Sequence, residues 1–215
     1  MTLRYSTDIV IFGGGVAGLW VLNAVRSAGY QAILFEKGSL GGGQTLASQG
    51  IIHGGLKYAL QGTLSSATQA IADMPSRWRA CLDGSGEMDL RGTRVLSDHY
   101  YMWSSGSLRS RLKTFLGSKS LRGRVEAVAP GSYPPFFQNA FVRGSLYQLP
   151  DFVVDSESLV ETLASRQKGA IFSLPDSGVS FETSDPHQDR VAVIAHRGRN
   201  IYLSAKRFVF TAGEG

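Results

Sequence analysis

The chain has 215 residues, of which 43% are hydrophobic and 18% charged, a balance typical of a folded globular protein and unlike that of a disordered one. Its formal charge is +5, but its lysines and arginines form no recognisable nucleic-acid-binding module, so we expect no nucleic-acid partner. One cysteine excludes an internal disulfide, and no apolar run is long enough to predict a membrane-spanning helix, which leaves peripheral membrane contact open.

The N-terminal elements form a βαβ pattern around a glycine-rich turn. The apolar run Ile9–Phe12 predicts a strand, and three glycines follow it directly. A helical pattern over 16–26 comes next, with Gly29 placed to end it, and residues 31–35 predict a second strand. This order is typical of the turn that binds the pyrophosphate of a dinucleotide.

Each glycine of the turn has its own physical reason. Gly13 permits the tight turn, Gly15 leaves room for a phosphate against the backbone, and Gly18 lets the helix press against the strand. The first helical residues, Val16 and Ala17, contribute free N–H groups at the positive end of the helix dipole. We therefore predict that these residues bind a pyrophosphate. The alternative is a βαβ unit whose glycines serve packing only.

An acidic residue closes the second predicted strand. Glu36 lies 23 positions after Gly13, where a carboxylate can accept hydrogen bonds from the hydroxyls of an adenosine ribose. The fingerprint alone does not separate NAD from FAD, and an NAD-binding Rossmann protein stays open at this point.

The composition of the sequence changes in the middle of the chain. The glycine-rich stretch 37–57 predicts an ordered ligand-binding loop, and a helix is expected over 63–82, kinked or restarted at Pro75. From about Leu90, aromatic extended segments predict an inserted, sheet-rich lobe. Strands are expected at 93–96, 99–103 and 146–149, an extended segment at 133–137 and a short basic helix over 106–116.

The last third of the chain returns to the first lobe. Asp155 or Ser156 is expected to cap a helix that runs to about Arg166. Strands are predicted at 170–174, 179–183, 190–196, 200–204 and 207–211. The predicted fold class is α/β. The predicted domains are a dinucleotide-binding part at 1–84, a substrate lobe at 85–152 and a second dinucleotide-binding part at 153–215.

Four segments share a pattern found in one group of enzymes. They are Asp8–Leu19, the pair Glu36-Lys37, the loop Ser48–Tyr58 and the closing Thr211-Ala212-Gly213. In these segments the chain resembles the FAD-dependent oxidoreductases of the D-amino-acid oxidase and glycerol-3-phosphate dehydrogenase superfamily. The resemblance implies a three-layer, Rossmann-like FAD-binding domain of the glutathione-reductase type with an inserted α+β substrate lobe. It also implies oxidation of a small amino or hydroxy acid by hydride transfer to the flavin of FAD.

The same resemblance implies further cofactor contacts. Beyond the glycines and Glu36, it places these residues at FAD: Lys37, Thr45, Ser48, Gln49, Gly50, Ile52, Val179 (through its backbone, at adenine), Ala212 and Gly213. It places His53 at the flavin as a group that orients substrate, transfers a proton or links covalently to the flavin. The alternative for His53 is a loop histidine that hydrogen-bonds the backbone.

The resemblance also bears on completeness and partners. The family's FAD-binding domain continues beyond its closing strand, so we expect the chain to be a fragment, a split-gene subunit or a short form with another role. The alternative to a catalytic domain is a non-catalytic FAD-binding piece that needs a partner chain or a C-terminal half. A homo-oligomer also stays open, a small-molecule substrate and a cytoplasmic location are expected, and no metal site is predicted.

Overall fold

The computed structural model describes five stretches of the chain, which are residues 3–55, 71–104, 125–139, 144–182 and 190–213. The chain divides into two compact units: residues 1–49, 82–93 and 156–215 form the first, and residues 50–81 and 94–155 form the second. The predicted parts, 1–84, 85–152 and 153–215, stay a prediction; they group residues 50–81 and 85–93 differently from these units. No helix within the five described stretches is long and apolar enough to cross a membrane.

The described elements comprise five α-helices and twelve strands. The helices are α1 (Val16–Ser27), α2 (Gln44–Ala47), α3 (Met74–Asp83), α4 (Pro135–Asn139) and α5 (Ser156–Ser165). The strands are β1 (Leu3–Phe12), β2 (Ala32–Glu36), β3 (Ile51–Ile52), β4 (Val95–Ser97), β5 (Tyr100–Ser104), β6 (Glu126–Ala127), β7 (Ser145–Leu149), β8 (Phe152–Val154), β9 (Ile171–Ser173), β10 (Val179–Glu182), β11 (Arg190–His196) and β12 (Arg199–Phe210).

A six-stranded sheet forms the centre of the first unit, in the order β10-β11-β12-β1-β2-β9. Strands β12, β1, β2 and β9 pair in parallel, whereas β10 and β11 extend the sheet by antiparallel pairing. Because parallel strands run in one direction, their carboxyl ends meet at one edge of the sheet. That edge holds the ends of β1, β2 and β12.

One face of this sheet is covered by its own outer strands. Phe12 of β1 packs with a cluster that comprises Val10, Ala192, Leu203 and Ala205. The Phe12 ring centroid lies 5.9 Å from that of Phe181 on β10, so the antiparallel end of the sheet curls over this face. Alternation along the strand turns Ile11 to the opposite face.

Helices α1 and α5 form a further layer of the first unit. Leu19 and Leu22 of α1 and Leu163 of α5 are fully buried. Buried Asn23 joins the two helices: its Nδ2 donates to the carbonyl oxygen of Leu163 at 3.0 Å, and its Oδ1 accepts from Nε2 of Gln167 at 3.1 Å. With the sheet and its curled end, these helices give the three layers predicted from the sequence.

The second unit contains two three-stranded antiparallel sheets, β3-β8-β4 and β5-β7-β6. Phe152 of β8 is completely buried, and the guanidinium of Arg79 on α3 lies 4.3 Å from the centroid of its ring. Leu149 of β7 packs with Met102 and Val125 in a separate small cluster. In the described part of this unit, Phe152 and Leu149 thus contribute buried apolar side chains from short strands.

Two sequence-based predictions of secondary structure are wrong. Residues 133–137 were expected to be extended, but Pro135 opens helix α4, because a proline in the first helical turn has no N–H to leave unsatisfied. The strands predicted at 200–204 and 207–211 are one strand, β12, which pairs with β1 along its length. The helix predicted over 106–116 lies outside the described residues, as does the part of the 63–82 helix before residue 71.

Candidate functional site

The glycine turn lies at the carboxyl edge of the parallel strands, between β1 and α1. Gly13 has φ +109°, and a Cβ on it would lie 2.6 Å from the carbonyl carbon of Thr211. A Cβ on Gly18 would lie 1.9 Å from the carbonyl oxygen of Gly13. Only glycine fits at either position, so the tight turn and the close approach of the helix have the physical reasons predicted for them.

The N-terminus of α1 is open towards the same edge. Gly15 precedes the helix and offers no side chain to cap it. Instead, the N–H of Val16 donates to Oγ1 of Thr45 at 3.0 Å. Ala17 is exposed in the first helical turn. A Cβ on Gly15 would meet only Oγ1 of Thr45, at 3.1 Å, so this glycine keeps clear a space at the positive end of the helix dipole.

Glu36 joins the end of β2 to the glycine turn. Its Oε2 accepts the N–H of Gly14 at 2.5 Å, and its Oε1 accepts the N–H of Gly38 at 2.7 Å. Since each carboxylate oxygen has a second lone pair, the group can accept ribose hydroxyls as well. The carboxylate is half-buried, whereas the neighbouring Lys37 is exposed.

Sequence reasoning missed two residues that hold this turn in place. Oγ1 of Thr211 lies 3.0 Å from the carbonyl oxygen of Gly13. Gly41, with φ +72°, donates its N–H to the carbonyl oxygen of Gly14 at 2.9 Å. Thr211 stands directly before Ala212, a predicted cofactor residue, and Gly41 lies in a run of glycines. Sequence reasoning missed both because their contacts with the turn join distant parts of the chain.

Two further predicted cofactor residues of the first unit, Ser48 and Gln49, lie in the segment after β2. Oγ of Ser48 donates to the carbonyl oxygen of Thr45 at 2.8 Å, which closes the short helix α2. Gln49 is exposed and is the last residue of this stretch of the unit. Gly50 and Ile52, predicted to lie along the cofactor, belong to the second unit.

Three predicted residues lie near the end of the first unit. Val179 begins β10 and packs, partly buried, against the cluster around Phe12. Ala212 and Gly213 follow Thr211 and are exposed, and Gly213 has φ +64°. The structure therefore gathers the glycine turn, Glu36 and Thr45 at one edge. Cofactor contacts by Val179, Ala212 and Gly213 stay predictions.

His53 follows strand β3 in the second unit and is exposed. Nearby Asp151, which sequence reasoning missed, is only 6% exposed and accepts the N–H of Gly54 at 3.1 Å through Oδ1. Burial raises the pKa of the Asp151 carboxyl, and the Gly54 hydrogen bond and the charge of His53 act in the opposite direction. In the described stretches, no group of three or more His, Cys, Asp or Glu side chains is placed to hold a metal ion.

The fold and this edge define the class of protein. A glycine turn between a parallel strand and a helix, with an acid at the end of the next strand, is the arrangement of a Rossmann-type dinucleotide-binding protein. The chain belongs to the family of FAD dependent oxidoreductases known as DAO, whose family model matches residues 8–214. The resemblance stated from the sequence is thereby confirmed, and FAD rather than NAD is the cofactor.

Individual relatives agree with this assignment. The chain is 46% identical, over its whole length, to the probable FAD-dependent oxidoreductase PA4991 of Pseudomonas aeruginosa, of which it covers 53%. It matches the crystal structure of that protein with a TM-score of 0.73 and 35% identity, covering 99% of this chain and 49% of that one. The chain thus spans about half the length of these relatives.

More distant structures share the fold. Glycine oxidase from Geobacillus kaustophilus matches with a TM-score of 0.69 and 16% identity, covering 97% of this chain and 55% of that one. L-α-glycerophosphate oxidase from Mycoplasma pneumoniae, solved with FAD bound, matches with a TM-score of 0.61 and 13% identity, covering 95% and 53%. At these identities the likeness supports the fold class alone.

Proposed function

We propose that this chain holds the adenosine and pyrophosphate parts of FAD in an enzyme that oxidises a small amino or hydroxy acid. The observation that carries the proposal is the cleared N-terminus of α1 beside Glu36. Gly15 leaves space where a phosphate fits, and the first N–H groups of a helix have no partners within the helix. Glu36 ends the neighbouring strand at the distance along the chain that suits a ribose.

Each of these residues has a separate task. The N–H of Ala17 is assigned to the pyrophosphate, whereas Val16 acts through the Thr45 hydroxyl that accepts its N–H. Gly13 and Gly18 hold the turn in the shape that presents the helix N-terminus. Glu36 accepts the ribose hydroxyls. Thr45 uses its hydroxyl oxygen as an acceptor for Val16, which leaves its hydroxyl proton for a phosphate oxygen.

The proposed chemistry follows from the cofactor. Bound FAD supplies a two-electron acceptor for the hydride of a C–H bond next to an amine or hydroxyl. We propose a small amino or hydroxy acid as substrate by analogy with enzymes that share the fold, among them glycine oxidase and iminodiacetate oxidase. His53 is the group we assign to proton transfer, since histidine changes charge near neutral pH.

A second candidate is a FAD-binding piece without activity of its own. The observation in its favour is that the chain covers only 53% of its relative PA4991. In this case a partner chain, or a C-terminal half, supplies the rest of the enzyme. The cytoplasmic location and any oligomer stay predictions.

Absorbance of the purified protein separates these candidates. A flavin band at about 450 nm that small amino or hydroxy acids bleach supports the catalytic proposal, whereas a band that none of them bleaches supports the second candidate. A folded protein that contains no flavin, and takes up none on reconstitution, contradicts both.

Glu36→Ala tests the ribose assignment. We expect the variant to weaken FAD binding by about tenfold or more, because a charge-assisted hydrogen bond is lost. Glu161→Ala, at an exposed position of α5, is the matched control and should leave the affinity unchanged. Equal affinities of the Glu36 variant and the control would show that Glu36 does not hold the ribose.

A further inference from the structure

We propose that Asp151 is a positioning residue that orients the imidazole of His53 for proton transfer from the substrate. This inference rests on the proposed function, in which oxidation of an amine or alcohol also releases a proton. Both residues lie in the second unit.

His53 and Asp151 lie at the same end of one pair of strands, each one residue beyond the last pair. Strands β3 and β8 are antiparallel, with Ile51 opposite Val153 and Ile52 opposite Phe152. One further step in this register brings His53 opposite Asp151. Directly opposed residues of an antiparallel pair have Cβ atoms about 4.5–5.5 Å apart on the same face. The charge of His53 acts on the Asp151 carboxyl, so the imidazole and the carboxyl group lie within electrostatic range of each other.

The carboxylate is fixed by its surroundings. Asp151 is only 6% exposed, and its Oδ1 accepts the N–H of Gly54, the residue after His53. Gly54 is itself closely packed, since a Cβ on it would lie 3.1 Å from the carbonyl oxygen of Ala72. The hydrogen bond thus ties the backbone beside His53 to a buried acid.

Exposure differs between the two side chains in the way that this role requires. His53 is exposed and can meet a substrate, whereas Asp151 is buried and cannot. A buried carboxylate beside an imidazole fixes the ring's orientation and stabilises the imidazolium that forms when the ring takes a proton.

Charged groups on the elements around Asp151 pair with one another; Arg79 and Asp98 are an example. Arg79 donates to the carbonyl oxygen of Asp98 at 2.6 Å, and the Asp98 carboxylate lies 3.9 Å from the Arg79 guanidinium. Apart from Asp151, the described acidic, basic and histidine side chains on or beside β3, β4, β8 and α3 are His53, Asp73, Arg77, Arg79, Asp83, Arg94, Asp98, His99 and Asp155. Of these, His53 is the one whose charge lowers the pKa of Asp151, against the larger effect of burial.

Oxidation of the substrate removes one proton and one hydride. The proton of the substrate's hydroxyl or amino group passes to the imidazole of His53. The hydride of the adjacent C–H bond, with its two electrons, leaves to the FAD of the proposed function. The substrate becomes an oxo or imino acid, and the imidazolium lies against the Asp151 carboxylate until it releases the proton.

A carboxyl titration tests the pair without any cofactor. The chain is labelled with ¹³C at aspartate carboxyls, and the Asp151 signal is identified by its loss in Asp151→Asn, or in Asp151→Glu if the asparagine variant does not fold. We expect His53→Gln to move the titration midpoint of Asp151 to higher pH, because a positive neighbour is lost. His99→Gln is the matched control and should leave the midpoint in place. An unmoved midpoint in His53→Gln overturns the proposal.

Flavin reduction gives a second, independent measurement. In protein loaded with FAD, we expect Asp151→Asn to shift the pH profile of substrate-dependent bleaching while leaving FAD affinity unchanged. An unchanged profile overturns the positioning role. If the chain takes up no FAD but the carboxyl midpoint moves, the proposed function fails and the coupled pair stands. If FAD binds but the midpoint stays in place, the pair fails and the proposed function stands.

Discussion

Thr45 accepts the N–H of Val16 through its hydroxyl oxygen at 3.0 Å, across 29 positions of the chain. Gly15, at the N-cap of α1, has no side chain for this task. Thr45, from the short helix α2, therefore caps helix α1 at the candidate cofactor site. This hydrogen bond links the position of α2 to the stability of α1.

Thr45→Val should destabilise the cofactor-free chain. Valine has nearly the same shape but cannot accept the N–H, so we expect a loss of about 1 kcal/mol in the free energy of unfolding. Thr45→Ser keeps the hydroxyl and should retain most of the stability. Urea unfolding followed by circular dichroism measures both, and equal losses in the two variants would contradict a capping role.

Gly18→Ala should disrupt the turn between β1 and α1. Its Cβ would lie 1.9 Å from the carbonyl oxygen of Gly13, so either the helix or the turn must move, at a cost of about 3 kcal/mol. Gly169→Ala is the control, because a Cβ there has nothing within 4 Å. Thermal unfolding together with flavin content checks the prediction. A Gly18→Ala protein as stable as the control would show that the backbone is not packed as described.

Asn23→Ala should weaken the packing of α1 against α5. The change removes the buried donor to Leu163 and leaves the half-buried Gln167 without its acceptor, so we expect a loss of about 2 kcal/mol. Asn200→Ala, at an exposed position, is the control and should change stability by less than about 0.5 kcal/mol. Chemical denaturation of both variants measures the difference.

Protonation of Asp89 at low pH should lower the stability of the fold. Its carboxylate lies 2.8 Å from Arg91 and 2.9 Å from Arg166, and hydrogen bonds to these two residues hold the pKa of Asp89 well below its usual range. A carboxyl with a lowered pKa stabilises the fold above its unfolded pKa, about 3.9, and this contribution is lost as the pH falls through the folded value.

Asp89→Asn provides the measurement for this site. We expect the variant to have a lower Tm than the parent at neutral pH and the difference to shrink as the pH falls below about 4. Asp176→Asn, in an exposed turn, is the matched control. A difference between parent and Asp89→Asn that stays constant down to pH values of about 3 would contradict the ion-pair explanation.

The sequence predicted the elements around the glycine turn because their signals are local. The helix found at Val16–Ser27 and the strand at Ala32–Glu36 each carry their own apolar pattern, and Gly29 has the positive φ of +90° expected at the end of the helix. Pro135 was misread because a proline pair suits both an extended segment and a first helical turn.

The sequence did not predict the contacts that hold the site together. Thr211 meets Gly13 across 198 positions, and Asn23 meets Leu163 across 140. Asp151 precedes a strand and has the local pattern of an ordinary turn residue; its proximity to His53 follows only from the register of β3 and β8. Such contacts depend on which strands pair, and one sequence without its fold does not specify that.

The parallel pairing of β1 with β12 sets an order of events during translation. Gly13 leaves the ribosome roughly 10–40 s before Thr211, at ordinary rates of synthesis. Until then β1 lacks the partner that runs beside it from Leu3 to Phe12, and Gly13 lacks the backbone that it packs against. The nascent chain therefore completes the packing of the turn between β1 and α1 late, after Thr211 has been made.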